Sequence, residues 1–129
     1  MAKKFMFRGL DEEQLKALSL TDFMKLITSR ERRALTRGFM APQKTLLETI
    51  KKTAGSGKFI KTHERNMVII PQMLGAKLGV FNGKEWVQVD ITPATLGHRI
   101  GEFAMTRRRV KHSAPGIGAS KSSKHTAVK

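Results

Sequence analysis

The chain has 129 residues, 40% of them apolar, enough for one domain with a modest core. Twenty-five Lys and Arg against ten Asp and Glu leave a formal net charge of +15, which points to a polyanionic partner. No cysteine is present and no apolar run nears the roughly 18 residues of a membrane span, which excludes disulfides, thiolate metal sites and a spanning helix.

The charge is uneven. Residues 1–40 carry nine basic and five acidic side chains, residues 41–66 six and two, residues 67–105 three and three, and residues 106–129 seven and none. A neutral, apolar centre between cationic arms suggests three parts: a helical extension and hinge over 1–58, an α+β core over 59–105, and an extended basic tail over 106–129.

The opening Met1-Ala-Lys-Lys-Phe-Met-Phe-Arg8 lacks the long apolar core of a signal peptide. Asp11 to Leu18 and Ser19 to Thr28 predict short helices, and Ser19-Leu-Thr-Asp22 resembles a capping box with Asp in place of Glu. Arg30-Glu-Arg-Arg33 and Arg37-Gly38 follow as a basic exit. Pro42 suits the first turn of a third helix, with Leu46, Leu47 and Ile50 on one face and Gly55 marking its end. No stretch sets a basic face opposite bulky apolar residues, so a membrane surface is not the expected partner.

Gly55-Ser-Gly57 predicts a hinge, and Lys61-Thr-His-Glu-Arg65 joins it to Met67-Val-Ile-Ile70, a short apolar strand ended by Pro71. Lys77 to Phe81 and Glu85 to Ile91 flank Asn82-Gly83, the dipeptide of a type I′ hairpin turn, in which both central residues take positive φ. Trp86, Val87 and Val89 break strict alternation and leave the faces of that strand open. Thr92-Pro93 predicts the N-cap and first residue of a last helix reaching about Arg99. Beyond Thr106 there is no periodicity, and such a segment cannot bury enough apolar surface to fold alone. The expected fold is therefore α+β: a small sheet with a β-hairpin, N-terminal helices, a short C-terminal helix and the basic tail.

The candidate RNA-binding residues are the cations of these connections. They comprise Arg30, Arg32, Arg33 and Arg37, then Lys61, His63 and Arg65 beside the sheet, and Arg107, Arg108, Arg109, Lys111, His112, Lys121 and Lys124 in the tail. An ordinary solvated connection competes for Lys61 to Arg65, and a localisation signal or solvated run for the tail. Arginine forks match phosphate oxygens and stack on bases, which favours RNA for the three adjacent arginines. Gly55-Ser-Gly57-Lys58 lacks the upstream glycine of a phosphate loop, and Phe59 stands where it needs Ser or Thr. His63, His98, His112 and His125 show no pair at metal-ligand spacing, and no nucleophile–base set can be composed, so neither a cofactor, a metal nor an enzymatic activity is expected. Trp86 and the seven Phe are scattered along the chain and read as core packing.

Lys61-Thr-His-Glu-Arg65, Asn66-Met-Val-Ile-Ile-Pro71, Met73-Leu-Gly75, Val80-Phe-Asn-Gly-Lys-Glu85, Gly97-His-Arg-Ile-Gly101-Glu-Phe103, Thr106-Arg107 and Ala114-Pro-Gly-Ile-Gly118 follow one another in order. Together they resemble the universal ribosomal protein family nineteen of the small subunit, whose eukaryotic members are numbered fifteen. The N-terminal helices with Ser29-Arg-Glu-Arg-Arg33 and the Ala-Pro-Gly-Ile-Gly tail resemble the archaeal and eukaryotic branch, and the small size and leading Met1-Ala-Lys-Lys4 lean archaeal. The resemblance implies a structural component of the small ribosomal subunit, cytoplasmic, which binds ribosomal RNA of the subunit head and supports translation. It implies a neighbouring ribosomal protein of family thirteen and a tail similar to extensions that approach the decoding region and tRNA. By position it implies that Arg65 and the run Arg107 to His112 face RNA, that Asn82-Gly83 is the hairpin, and that Gly97 to Phe103 closes the core. Gln72 and Ala104-Met105 depart from the residues expected beside those blocks. A free-standing nucleic-acid-binding regulator or RNA chaperone is the alternative function that the basic arms alone allow.

Overall fold

Local chemistry at Asp11 and Ser19 starts the first two helices of the chain. The computed structural model describes residues 5–53 and 56–109. In α1 (Glu12–Ala17) the Gln14 side chain accepts the Asp11 amide at 3.1 Å, and Glu12 and Glu13 complement the positive helix end. In α2 (Leu20–Leu26) the Ser19 hydroxyl accepts the Asp22 amide at 3.2 Å and donates to the Asp22 carboxylate at 2.6 Å, so Ser19 caps the helix but the reciprocal bond of a capping box is not made. Each helix buries one large residue, Leu15 and Phe23 respectively.

The basic exit expected at Arg30 is itself a helix. α3 (Ser29–Thr36) has Thr28 as N-cap and stops where Gly38 takes φ +88. Its apolar content is little more than Ala34 and Leu35, too little to show a helical period, and Leu35 alone anchors it in the core. α4 (Ala41–Thr53) carries Pro42 in its first turn and buries Leu46 and Ile50, with Leu47 half-buried beside them. Its expected end at Gly55 lies outside the described residues.

The sheet has three strands in the order β1 (Phe59–Thr62), β2 (Lys77–Phe81) and β3 (Trp86–Asp90). β1 lies parallel to β2, with Phe59 opposite Lys77 and Thr62 opposite Val80. β2 and β3 form the expected antiparallel hairpin, paired from Lys77–Asp90 to Phe81–Trp86. The turn is not type I′: in the four-residue loop 82–85 only Gly83 has positive φ, at +99. The Asn82 carboxamide oxygen instead accepts the amides of Lys84 and Glu85 at 3.0 and 2.9 Å.

Two further expectations are corrected. Met67 to Ile70 is extended and at most 3% exposed, but it joins no sheet. It pairs with residues 97–100 through Ile69 N–His98 O (2.8 Å), Gly97 N–Ile69 O (3.1 Å) and Ile100 N–Met67 O (3.0 Å). The partner segment is interrupted by Gly97 at φ +76 and by the 3-10 turn that opens at Ile100, so the pairing stays a single bridge, Val68 to Arg99, and never becomes a ladder. The predicted last helix over Thr92–Arg99 is a single 3-10 turn, Pro93–Thr95, because Leu96 turns extended and Gly97 takes φ +76. A second 3-10 turn follows at Ile100–Phe103.

Side-chain alternation splits the sheet cleanly. Ile60, Thr62, Leu78, Val80, Val87 and Val89 point inward, where they join the buried residues of all four helices in one core with Ile69, Ile70, Met73, Leu96 and Ile100. Phe59, Lys61, Lys77, Gly79, Phe81, Trp86, Gln88 and Asp90 form the outer face, which settles the orientation of β3.

Candidate nucleic-acid interface

Helical geometry separates the four arginines of the second basic run. Arg30, Arg33 and Arg37 recur at spacings of three and four and therefore share one side of α3. With Arg99 they line a groove of about 310 Å³, floored by Leu35, Phe39, Met67 and Val68. Among the described residues that line it there is no carboxylate. Four guanidinium groups around one cleft repel one another, and an anion carrying several oxygens relieves that repulsion while matching the planar forks.

Arg32 points elsewhere. Its Nε donates to the Met24 carbonyl at 2.9 Å and a terminal nitrogen to that of Ile27 at 3.1 Å, so it fastens α3 to the end of α2. Arg99 is not among the residues singled out by sequence; it is one of three cations in a neutral block, and nothing but its place beside Asn66 and α3 marks it. One of its terminal nitrogens donates to the Asn66 carbonyl at 3.1 Å, and its Nε lies 3.5 Å from Glu31 Oε1. The Glu31 carboxyl is held below its usual range by the Thr28 hydroxyl first, then by its own amide and the Arg99 guanidinium, against partial burial.

Arg65 spends its donors inside the fold. Its terminal nitrogens reach the carbonyls of Phe81 (2.8 Å), Gly101 (2.9 Å) and Ala104 (2.6 Å), and its stem lies 3.0 Å from where a Cβ on Gly101 would stand. This makes it a clamp between the hairpin and the closing 3-10 turn.

Lys61 and His63 are exposed on the outer sheet face. The His63 ring meets Phe81 at 5.0 Å and Trp86 at 4.9 Å, both near edge-on, and Phe81 and Trp86 lie 5.1 Å apart. Lys61 Nζ sits 5.4 Å from the Trp86 ring centre, a cation–π contact. Two aromatic residues read as scattered core packing thus gather with His63 at the surface. The signal was the β period, which places residues 81 and 86 opposite each other on one face once the hairpin register is known. At the root of the tail, Arg108 reaches Glu85 at 2.5 Å, an exposed pair that holds little energy and leaves the arginine available to other anions. Arg107 and Arg109 are also exposed, whereas Lys111, His112, Lys121 and Lys124 lie outside the described residues.

Comparison with known proteins meets this geometry. The family model described as "Ribosomal protein S19" matches residues 33–112. A Saccharolobus solfataricus protein named "Small ribosomal subunit protein uS19" is 44% identical over 130 residues, covering 98% of this chain and 93% of its own.

Proposed function

Because this chain belongs to the ribosomal protein S19 family, and is therefore a structural, non-catalytic protein of the small ribosomal subunit in the cytoplasm, we propose that it holds ribosomal RNA by its arginine groove and tail root. Arg30, Arg33, Arg37 and Arg99 grip phosphates of the subunit head, and Arg107 to Arg109 grip a second stretch. Lys61 and His63 contribute at the sheet, while Arg32 and Arg65 act first as internal ties. The acid-free tail, with Lys111, His112, Lys121 and Lys124, continues toward the decoding region and tRNA, and a family-thirteen ribosomal protein is the expected neighbour. The family resemblance supports the position, and the composition of the tail supports its affinity for RNA.

The observation that carries the reading is the groove: four arginines and, among the described residues, no carboxylate around one cleft. Replacing Arg30, Arg33 and Arg37 together with Gln should lower affinity for small-subunit RNA. It should also flatten the plot of log affinity against log salt by about 2–3, since each phosphate contact contributes roughly 0.7–0.9. Arg32→Gln should leave the slope in place. A triple variant with the parent's slope would remove the groove from the interface.

A further inference from the structure

The outer face of the sheet has a composition that phosphate binding does not explain. Its apolar residues are all aromatic: Phe59, Phe81 and Trp86, with the His63 ring among them, while every aliphatic strand residue points to the core. Phe59 is 41% exposed, a large share for a phenyl ring on a regular strand. At the centre of the face stands Gly79, whose φ is unremarkable. Space dictates it: a Cβ there would come within 2.2 Å of the tip of the Phe59 ring. The missing side chain lets Phe59 settle over β2.

From this arrangement we infer that the outer sheet face receives two successive unpaired nucleotides of RNA, one base stacked on the Phe59 ring and the next on the His63 ring, with their phosphates at Lys61 and Lys77. The inference rests on the RNA-binding reading above and adds a chemical class of contact to it. Every base offers a π-face, so aromatic rings beside cations on an open sheet bind single strands without needing a sequence. Charge selects nucleic acid over a protein occupant. The strands place Lys61 and Lys77 on this face against Asp90 alone, Lys84 and Arg108 flank it, and Glu85 is already paired with Arg108. Duplex RNA keeps its bases stacked inward and cannot use such a surface.

Trp86 is the single tryptophan of the chain, so its emission reports this face and no other. The full-length protein is titrated with a short single-stranded RNA oligomer and with an RNA duplex of equal length. The single strand should quench Trp86 and the duplex should not. His63→Ala and Phe59→Leu, the second keeping apolar bulk without a ring, should each weaken single-strand binding about fivefold or more, and the loss should persist at raised salt. Unchanged far-ultraviolet circular dichroism and melting temperature establish that each variant is folded. Single-strand binding without change in Trp86 emission, or with parental affinity in both variants, overturns the inference. The groove reading then still stands if the Arg30, Arg33 and Arg37 variant loses its salt slope, and falls if no RNA is bound at all. Emission that responds only to a neighbouring subunit protein would assign the face to a protein and equally overturn the proposal.

Discussion

Arg65 ties its own segment to the end of β2 and to the closing 3-10 turn through three part-buried hydrogen bonds to backbone carbonyls. Removing it strands those carbonyls, and charge-assisted hydrogen bonds to them contribute more than neutral ones. Arg65→Ala should cost on the order of 2–3 kcal/mol in denaturant unfolding of the free protein. Arg65→Lys should recover little, because a single ammonium cannot reach three carbonyls in a fork. An RNA-binding defect at unchanged stability would contradict the clamp. Glu31 offers a pH readout at the same scale. Its carboxyl titrates below its ordinary value of 4.5 in the folded protein, with the Thr28 hydroxyl as first cause and Arg99 contributing. A depressed folded value means that the ionised form stabilises the fold. That contribution is complete above pH 4.5 and lost as the pH falls through the folded value. Unfolding measured from neutral to acid pH should therefore show a shallower acid-side loss for Glu31→Gln than for the parent.

Among the elements, the four-residue hairpin loop depends on one side chain. Asn82→Ala leaves two loop amides without their acceptor and should cost about 1 kcal/mol, whereas Asn82→Asp keeps an acceptor oxygen and should cost less. Equal losses in the two variants, read by thermal melting, would show that the side chain is not what closes the turn. The elements legible from sequence are those with local signatures: the Ser19 cap for α2, Pro42 and a Leu46–Ile50 stripe for α4, and the Asn82-Gly83 dipeptide for the hairpin. Those missed lack any. α3 is written in arginine and shows one buried residue, and β1 is four residues long with a lysine and a threonine in it. Met67 to Ile70 reads as a strand because it is apolar throughout, yet that pattern reports burial on all sides and not a ladder partner. For the interface, charge found Arg30, Arg33 and Arg37, while its blindness to direction also gathered in Arg32 and Arg65, whose donors face carbonyls. Arg99 escaped because only tertiary folding brings it to α3.

For the whole molecule, cations are separated by task. The helices and the neutral centre share one core, α3 and Arg99 form the groove, and residues 106–129 add seven positive side chains with no acid among them. Deleting residues 106–129 should leave the thermal stability of the core nearly unchanged, since among the described residues the last buried one is Ala104. The same deletion should flatten the salt dependence of RNA affinity by several units on a log–log plot. Filter binding at several salt concentrations tests this directly, and an unchanged slope would make the tail a bystander.

The pairing of residues 65–69 with residues 97–101 has a consequence for how the chain is made. The Arg65 tie to Gly101 bridges 36 positions, and its neighbour to Ala104 bridges 39. Synthesis proceeds from the N-terminus, so α1 to α4 emerge with Leu15, Phe23, Leu46 and Ile50 ready while Leu96 and Ile100 are still untranslated. The hairpin can zip locally as soon as β3 appears, but loop-closure entropy withholds the distant contacts until the closing turn arrives. A nascent chain stopped short of Ala104 thus exposes apolar helix faces beside a strongly basic surface. The final residues of the core work as a latch, and protection of the helices from a protease during translation should begin only when that latch has left the synthesising ribosome.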